Sequence, residues 1–161
     1  GGFAAVMLIL LALAIPLSQV RHAARSKAAA SAAGAADGSA QQAAGVVWQP
    51  YSEQALDAAH AAARPVFIDF TASWCLSCQF NERAVLNSAE VERALREGNV
   101  VTMKADWTNS DPEITRKLAE VGRAGVPTYV VYPATAGSGA DVLPELLTRE
   151  LVVKAIERDT K

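Results

Sequence analysis

The chain has 161 residues, 51% of them apolar, and its 15 basic and 17 acidic side chains leave a formal net charge of −2. That length holds one domain of ordinary size with chain to spare, and the charge balance offers no basic footprint for nucleic acid. With only two cysteines, three residues apart, a structural disulfide framework is also excluded.

Residues 1–17 contain no charged or strongly polar side chain. As a helix, residues 3–20 would span roughly 27 Å at about 1.5 Å per residue, close to the hydrocarbon thickness of a bilayer. A transmembrane helix is therefore expected over residues 1–20, and Pro16 is tolerable there. A signal peptide is the main rival. It is disfavoured because there is no initiating Met, no basic stretch before Phe3 and no small-x-small site after the apolar run. The opening Gly1-Gly2 is expected of a piece of a longer chain. Arg21, Arg25 and Lys27 follow the apolar run, and by the positive-inside tendency they place what comes next on the cytoplasmic side. Residues 21–45, mostly Ala with Gly, Ser and Gln, have no large apolar side chains to bury and read as a linker that sets reach.

The texture changes at Val46, where one domain over residues 46–161 is expected. Setting aside Arg21, Arg25, Lys27 and Asp37 leaves it 12 basic and 16 acidic residues, a net charge of about −4. Residues 46–48 read as a short strand, and Ser52 caps a helix running to Ala63 before Pro65. Residues 66–71 (VFIDFT) form a continuous apolar strand interrupted only by Asp69. A helix is expected over 75–86, a break at Asn87-Ser88, and more helix to Glu97 with Gly98 ending it. A strand over 99–105, a loop over 107–112 and a helix over 111–121 come next. Gly125-Val126-Pro127-Thr128 leads into a strand over 129–132. A turn around 136–140, a weak strand over 141–143 and a helix from Thr148 to about Arg158 complete the chain. This β-α-β-α-β-α-β-β-α order predicts an α/β fold with a mixed central sheet flanked by helices.

Cys75 and Cys78 stand where a strand passes into a helix. At the helix N-terminus, unpaired N–H groups and the helix dipole favour a thiolate, so Cys75 is the expected nucleophile. Cys78, about one turn further in, is placed to resolve a mixed disulfide formed on Cys75. Other uses of such a pair fit less well. A zinc site needs four ligands, and His22 and His60 are distant in sequence. Haem attachment needs His after the second Cys, where Gln79 stands. A pair of inert core cysteines stays open. Asp69 is a costly carboxylate within an apolar strand unless it is functional, paired, protonated or at a solvent-facing edge. Glu82, seven residues after Cys75, lies on nearly the same helix face, and is otherwise an ordinary solvated side chain. Trp48 and Val100-Val101 read as core, and His60 as a surface or satisfied residue.

The stretch from Asp69 to Cys78 (DFTASWCLSC) resembles a thioredoxin-family active site, and Gly125-Val126-Pro127-Thr128 resembles that family's second hallmark. The resemblance implies a thioredoxin fold in which Pro127 is cis beside the dithiol and the backbone of Val126 is free to pair with an extended partner segment. Trp74 would pack beside Cys75 and shape the approach to it, unless it is simply a core residue, with Trp107 and Thr108 packing a loop near the same face. Residues 71–82 (TASWCLSCQFNE), 104–108 (KADWT) and 143–148 (LPELLT) are similar, more closely, to the C-terminal domain of the DsbD/ScsB transmembrane thiol–disulfide interchange proteins. That likeness implies a protein-disulfide reductase domain with no cofactor beyond a redox-active Cys75–Cys78 disulfide. Its electrons would come from a membrane-embedded domain of the same longer protein and pass to periplasmic disulfide-bearing proteins or domains. It implies a bacterial inner-membrane protein with this domain in the periplasm, against the charge after the apolar run. Asp69 and Glu82 match acids that would raise the cysteine pKa and assist proton transfer. Leu76-Ser77 departs from the Gly-Pro of ordinary thioredoxins. Two other readings remain at this point: a free-standing membrane-anchored reductase for cytochrome c maturation, and a metal-binding or non-catalytic interaction module.

Overall fold

Within residues 46–160, apart from 136 and 138, which are the residues described by this computed structural model, the chain runs β1 (Gln49–Pro50), α1 (Glu53–Ala61), β2 (Val66–Thr71), α2 (Leu76–Asn81), a π-helical turn (Glu82–Leu86), α3 (Ala89–Glu97), β3 (Val101–Asp106), α4 (Pro112–Glu120), β4 (Thr128–Tyr132), β5 (Asp141–Leu143) and α5 (Arg149–Asp159). The membrane helix expected over 1–20 and the linker expected over 21–45 lie outside the described residues. Among the described residues, no helix is long and apolar enough to cross a membrane.

The five strands lie in the order β1-β3-β2-β4-β5. β1, β3 and β2 are parallel, while β4 and β5 run antiparallel to their neighbours. The central strand, β2, is buried along its whole length, which explains its nearly unbroken apolar run. Its alternating side chains feed two cores. Phe67, with Tyr129 and Val131, packs against the π-helical turn, α3 and α5 through Val85, Leu86, Leu95 and Ile156. Val66, Ile68 and Phe70, with Met103 and Val130, meet α1 and α4 through Leu56, Ile114 and Leu118 on the other face. Full burial of each such side chain contributes roughly 1.5–3 kcal/mol.

Helix starts follow the sequence closely. Ser52, Ser88, Asp111 and Thr148 each accept a hydrogen bond from a first-turn backbone N–H of the helix they cap. Pro112 enters α4 at its first position, where a missing N–H does no harm.

Several boundaries differ from the sequence reading. The first strand is Gln49–Pro50, not 46–48, because its register is dictated by β3, with Gln49 opposite Met103 and Pro50 opposite Lys104. Trp48 and Val101 are only partly buried; Trp48 meets Phe67 edge-on at 5.9 Å between ring centroids. Ala63 lies outside α1 with φ of 49°, and Asn99 precedes β3 with φ of 50°. The helix expected over 75–86 is in two parts. Regular α-helix ends at Asn81, and the Asn87 N–H reaches back five residues to the Glu82 carbonyl.

Asn81, fully buried, joins three parts of the fold. Its Nδ2 donates to the Tyr129 hydroxyl at 3.0 Å and to the Glu145 carbonyl at 2.7 Å, and its Oδ1 accepts from the Leu147 N–H at 3.4 Å. The helix carrying Cys78 is thereby tied to β4 and to the segment after β5. Asn81→Ala strands these buried groups and is expected to destabilise the protein by about 2–3 kcal/mol, read as a lower urea midpoint with unchanged m-value.

Candidate active site

The turn between β2 and α2 carries the dithiol. Cys75 is the N-cap of α2, with φ −84° and ψ 100°, and its own N–H donates to the Ala72 carbonyl at 3.0 Å. Its Sγ is bonded to Cys78 Sγ across a Cα–Cα distance of 5.3 Å and also accepts the Cys78 N–H at 3.2 Å. Cys75 is 5% exposed and Cys78 1%, so both are buried and Cys75 is slightly the less so.

The Val126–Pro127 peptide is cis, and Val126 packs against the small cluster of Ala72, Cys75 and Cys78. The two motifs, some fifty residues apart in sequence, thus meet at the dithiol. Trp74 is rim and not core: it is 57% exposed, tilted against Trp107 at 6.3 Å between ring centroids. Leu76 and Phe80 on α2 are likewise exposed.

Asp69 is not at a solvent-facing edge. It is 2% exposed in the central strand, with Lys104 opposite it on β3 and Tyr129 opposite it on β4. Residues opposite one another in a sheet project to the same face, so Lys104, Asp69 and Tyr129 form a row across it. That face is the one under the dithiol helix and the π-helical turn: Lys104 Nζ pairs with Glu82, and the Tyr129 hydroxyl binds Asn81. Glu82 is therefore a partly shielded ion-pair partner and not a freely solvated acid. Asp69 Oδ1 has no hydrogen-bond partner. Burial pushes the Asp69 carboxyl up to about 7; Lys104 opposes this and Glu82 adds to it. Burial likewise raises the Tyr129 hydroxyl above its ordinary value.

Lys104 was visible in sequence only as one letter of a motif, and its role here needs the strand register. Asn81 gave no sequence signal, since a polar residue on a helix reads as surface. Trp48 also touches the group, with Lys104 Nζ 5.8 Å from its ring centroid. Among the described residues, no group of three or more His, Cys, Asp or Glu side chains is placed to hold a metal ion.

Known proteins resemble the chain in this same region. A family model described as Thioredoxin-like matches residues 47–134. The thiol:disulfide interchange protein DsbD of Ralstonia nicotianae is 34% identical over 105 residues, which is 62% of this chain and 17% of that protein. The chain therefore spans about one sixth of that relative's length. Among solved structures, the oxidised C-terminal domain of Neisseria meningitidis DsbD has a TM-score of 0.56 at 28% identity, covering 69% of this chain and 98% of that one. A thioredoxin from Thermus thermophilus has a TM-score of 0.59 at 27% identity, covering 71% and 86% respectively.

The raised Asp69 carboxyl has a consequence for stability. Its folded pKa exceeds its unfolded one, so between about pH 4 and pH 7 the folded protein holds a proton that the unfolded chain has lost. Stability from this group is greatest at the acid end and declines as pH rises to about 7, a loss on the order of 4 kcal/mol. Oxidised Asp69→Asn is therefore expected to be more stable than wild type at pH 8 and close to it at pH 4. Urea unfolding at both pH values checks this, and an equal effect at the two would remove the explanation.

Proposed function

The chain belongs to the thioredoxin-like family, and from that premise we propose that it is the dithiol-carrying terminal domain of a DsbD-type interchange protein. It is a thiol–disulfide oxidoreductase whose redox group is the Cys75–Cys78 pair. In the proposed role, a membrane-embedded domain of the same longer protein reduces this disulfide, and the resulting dithiol reduces periplasmic disulfide-bearing proteins or domains. The observation that carries the reading is the oxidised pair capping α2 beside the cis Val126–Pro127 bond.

The exchange balances without a further cofactor. The Cys75 thiolate attacks one sulfur of the partner disulfide, forming a mixed disulfide and expelling the other partner sulfur as a thiolate, which takes up a proton. Cys78, losing its proton, then attacks Cys75 Sγ. The bond between Cys75 and the partner breaks, the Cys75–Cys78 bond forms, and two electrons have passed to the partner. Asp69, with a carboxyl titrating near neutrality, is suited to accept the Cys78 proton and return it in the next cycle. Glu82, through its pair with Lys104, adjusts the charge felt by Asp69. Trp74, Val126 and Pro127 form the platform on which an extended partner segment pairs, a strand-addition mode of binding.

The same reading assigns residues 1–20 to a transmembrane helix, 21–45 to a linker and 46–161 to the exchange domain, held at the periplasmic face of a bacterial inner membrane. Likeness to DsbD supports this side, although Arg21, Arg25 and Lys27 favour the other.

With Cys78→Ala, a mixed disulfide on Cys75 has no resolving thiol. The expected result is a partner trapped through Cys75, released by dithiothreitol and seen on non-reducing gels with mass-spectrometric identification of the link. Wild-type protein that reduces disulfides while Cys78→Ala traps none would contradict the assigned order of attack.

A further inference from the structure

Four hydrogen bonds meet at Thr108, just beyond the end of β3. Its Oγ1 accepts the Ser73 N–H at 2.9 Å, and its carbonyl accepts the Trp74 indole N–H at 3.2 Å. Its own N–H donates to Asp106 Oδ1 at 2.9 Å, and its hydroxyl donates to the same oxygen. A hydroxyl has one proton, and an ionised carboxylate can only accept. Asp106 therefore takes the Thr108 proton and leaves the hydroxyl lone pairs for Ser73. These bonds also hold the Asp106 carboxyl below the usual carboxylate range.

The other side of the same turn is held as well. The Ser73 carbonyl accepts from Gln79 Nε2 on α2 at 2.8 Å, and the Trp107 N–H donates to the Thr71 carbonyl at 2.8 Å. The segment from Thr71 to Trp74, which delivers the chain to Cys75, is thus gripped from β3 and from α2. An exposed tryptophan on a surface turn is ordinarily free to change rotamer. Trp74 instead has its indole nitrogen bonded to Thr108 and its ring set against Trp107.

We propose that Asp106 and Thr108 are positioning residues that act through Ser73 and Trp74, holding the Trp74 rim in place for a protein partner whose disulfide approaches Cys75. This inference rests on the exchange reading above and adds a distinction between substrates. A folded protein must seat against Trp74 and gains from a contact already ordered. A small disulfide reaches Cys75 without covering the rim and gains nothing.

The test uses the reduced full chain in detergent, with rates of oxidation by insulin and by glutathione disulfide measured in parallel. Thr108→Val keeps the side-chain shape and removes the acceptor for Ser73, while Asp106→Ala releases the hydroxyl from its orientation. Each is expected to slow the reaction with insulin by about fivefold, the worth of one hydrogen bond or one immobilised side chain, and to leave glutathione disulfide within about twofold of wild type. Thr108→Ser, which keeps the hydroxyl, is expected to match wild type with both. Equal slowing with both disulfides, no slowing with either, or a Thr108→Ser variant as slow as Thr108→Val would overturn the proposal. A wild type that oxidises with glutathione disulfide and not with insulin would overturn it too. A wild type that reacts with neither would remove the exchange reading, and this inference with it.

Discussion

A carboxyl group in the middle of the sheet is the constraint around which this domain is arranged. Asp69 stands in the central strand with apolar neighbours on either side in sequence and almost no access to solvent. An ionised carboxylate there would forgo its hydration, and the one cation in its row, Lys104, is already paired with Glu82. The group meets this by holding its proton up to about pH 7. Beside the buried Asp69, the paired Lys104 and Glu82 are both partly exposed.

That row lies under the helix bearing the two cysteines, and the features of this helix follow from having to sit there. Its start is the N-cap Cys75, so one sulfur of the disulfide also satisfies the Cys78 backbone N–H. Its end is Asn81, whose amide bonds replace what would otherwise be an apolar contact with β4. The π-helical turn that follows brings Glu82 to Lys104 while Val85 and Leu86 remain in the core. Local rules of sequence consistency are broken at Asp69, Asn81 and the π-helical turn, and all three border the dithiol; such breaks are expected where a site is built at the expense of local stability. The turn ahead of Cys75 adds another layer, since the bonds from Thr108 and Gln79 fix the approach to the sulfur without touching it.

Much of this was legible in the sequence. The apolar run of β2, the caps Ser52 and Thr148, the dithiol at a strand–helix junction and the distant Val126-Pro127 each carry a local signal, and the structure brings the last two together. What was not legible depends on partners far along the chain. The two-residue β1 is defined by β3, so its own propensity misplaces it. The burial of Asp69 follows from β2 being central in the sheet, and no window around residue 69 contains the strand order. The Glu82–Lys104 pair crosses 22 positions and the Ser73–Thr108 bond crosses 35. The π-helical turn has the composition of an ordinary helix.

The central claim is that a buried acid titrating near neutrality lies beneath the dithiol. It is tested most directly by following the Asp69 carboxyl carbon by NMR through a pH titration of the oxidised protein. The account predicts a midpoint near 7, in step with the burial and the Lys104–Glu82 pairing described above. A midpoint below about 5, in the ordinary carboxylate range, would contradict it.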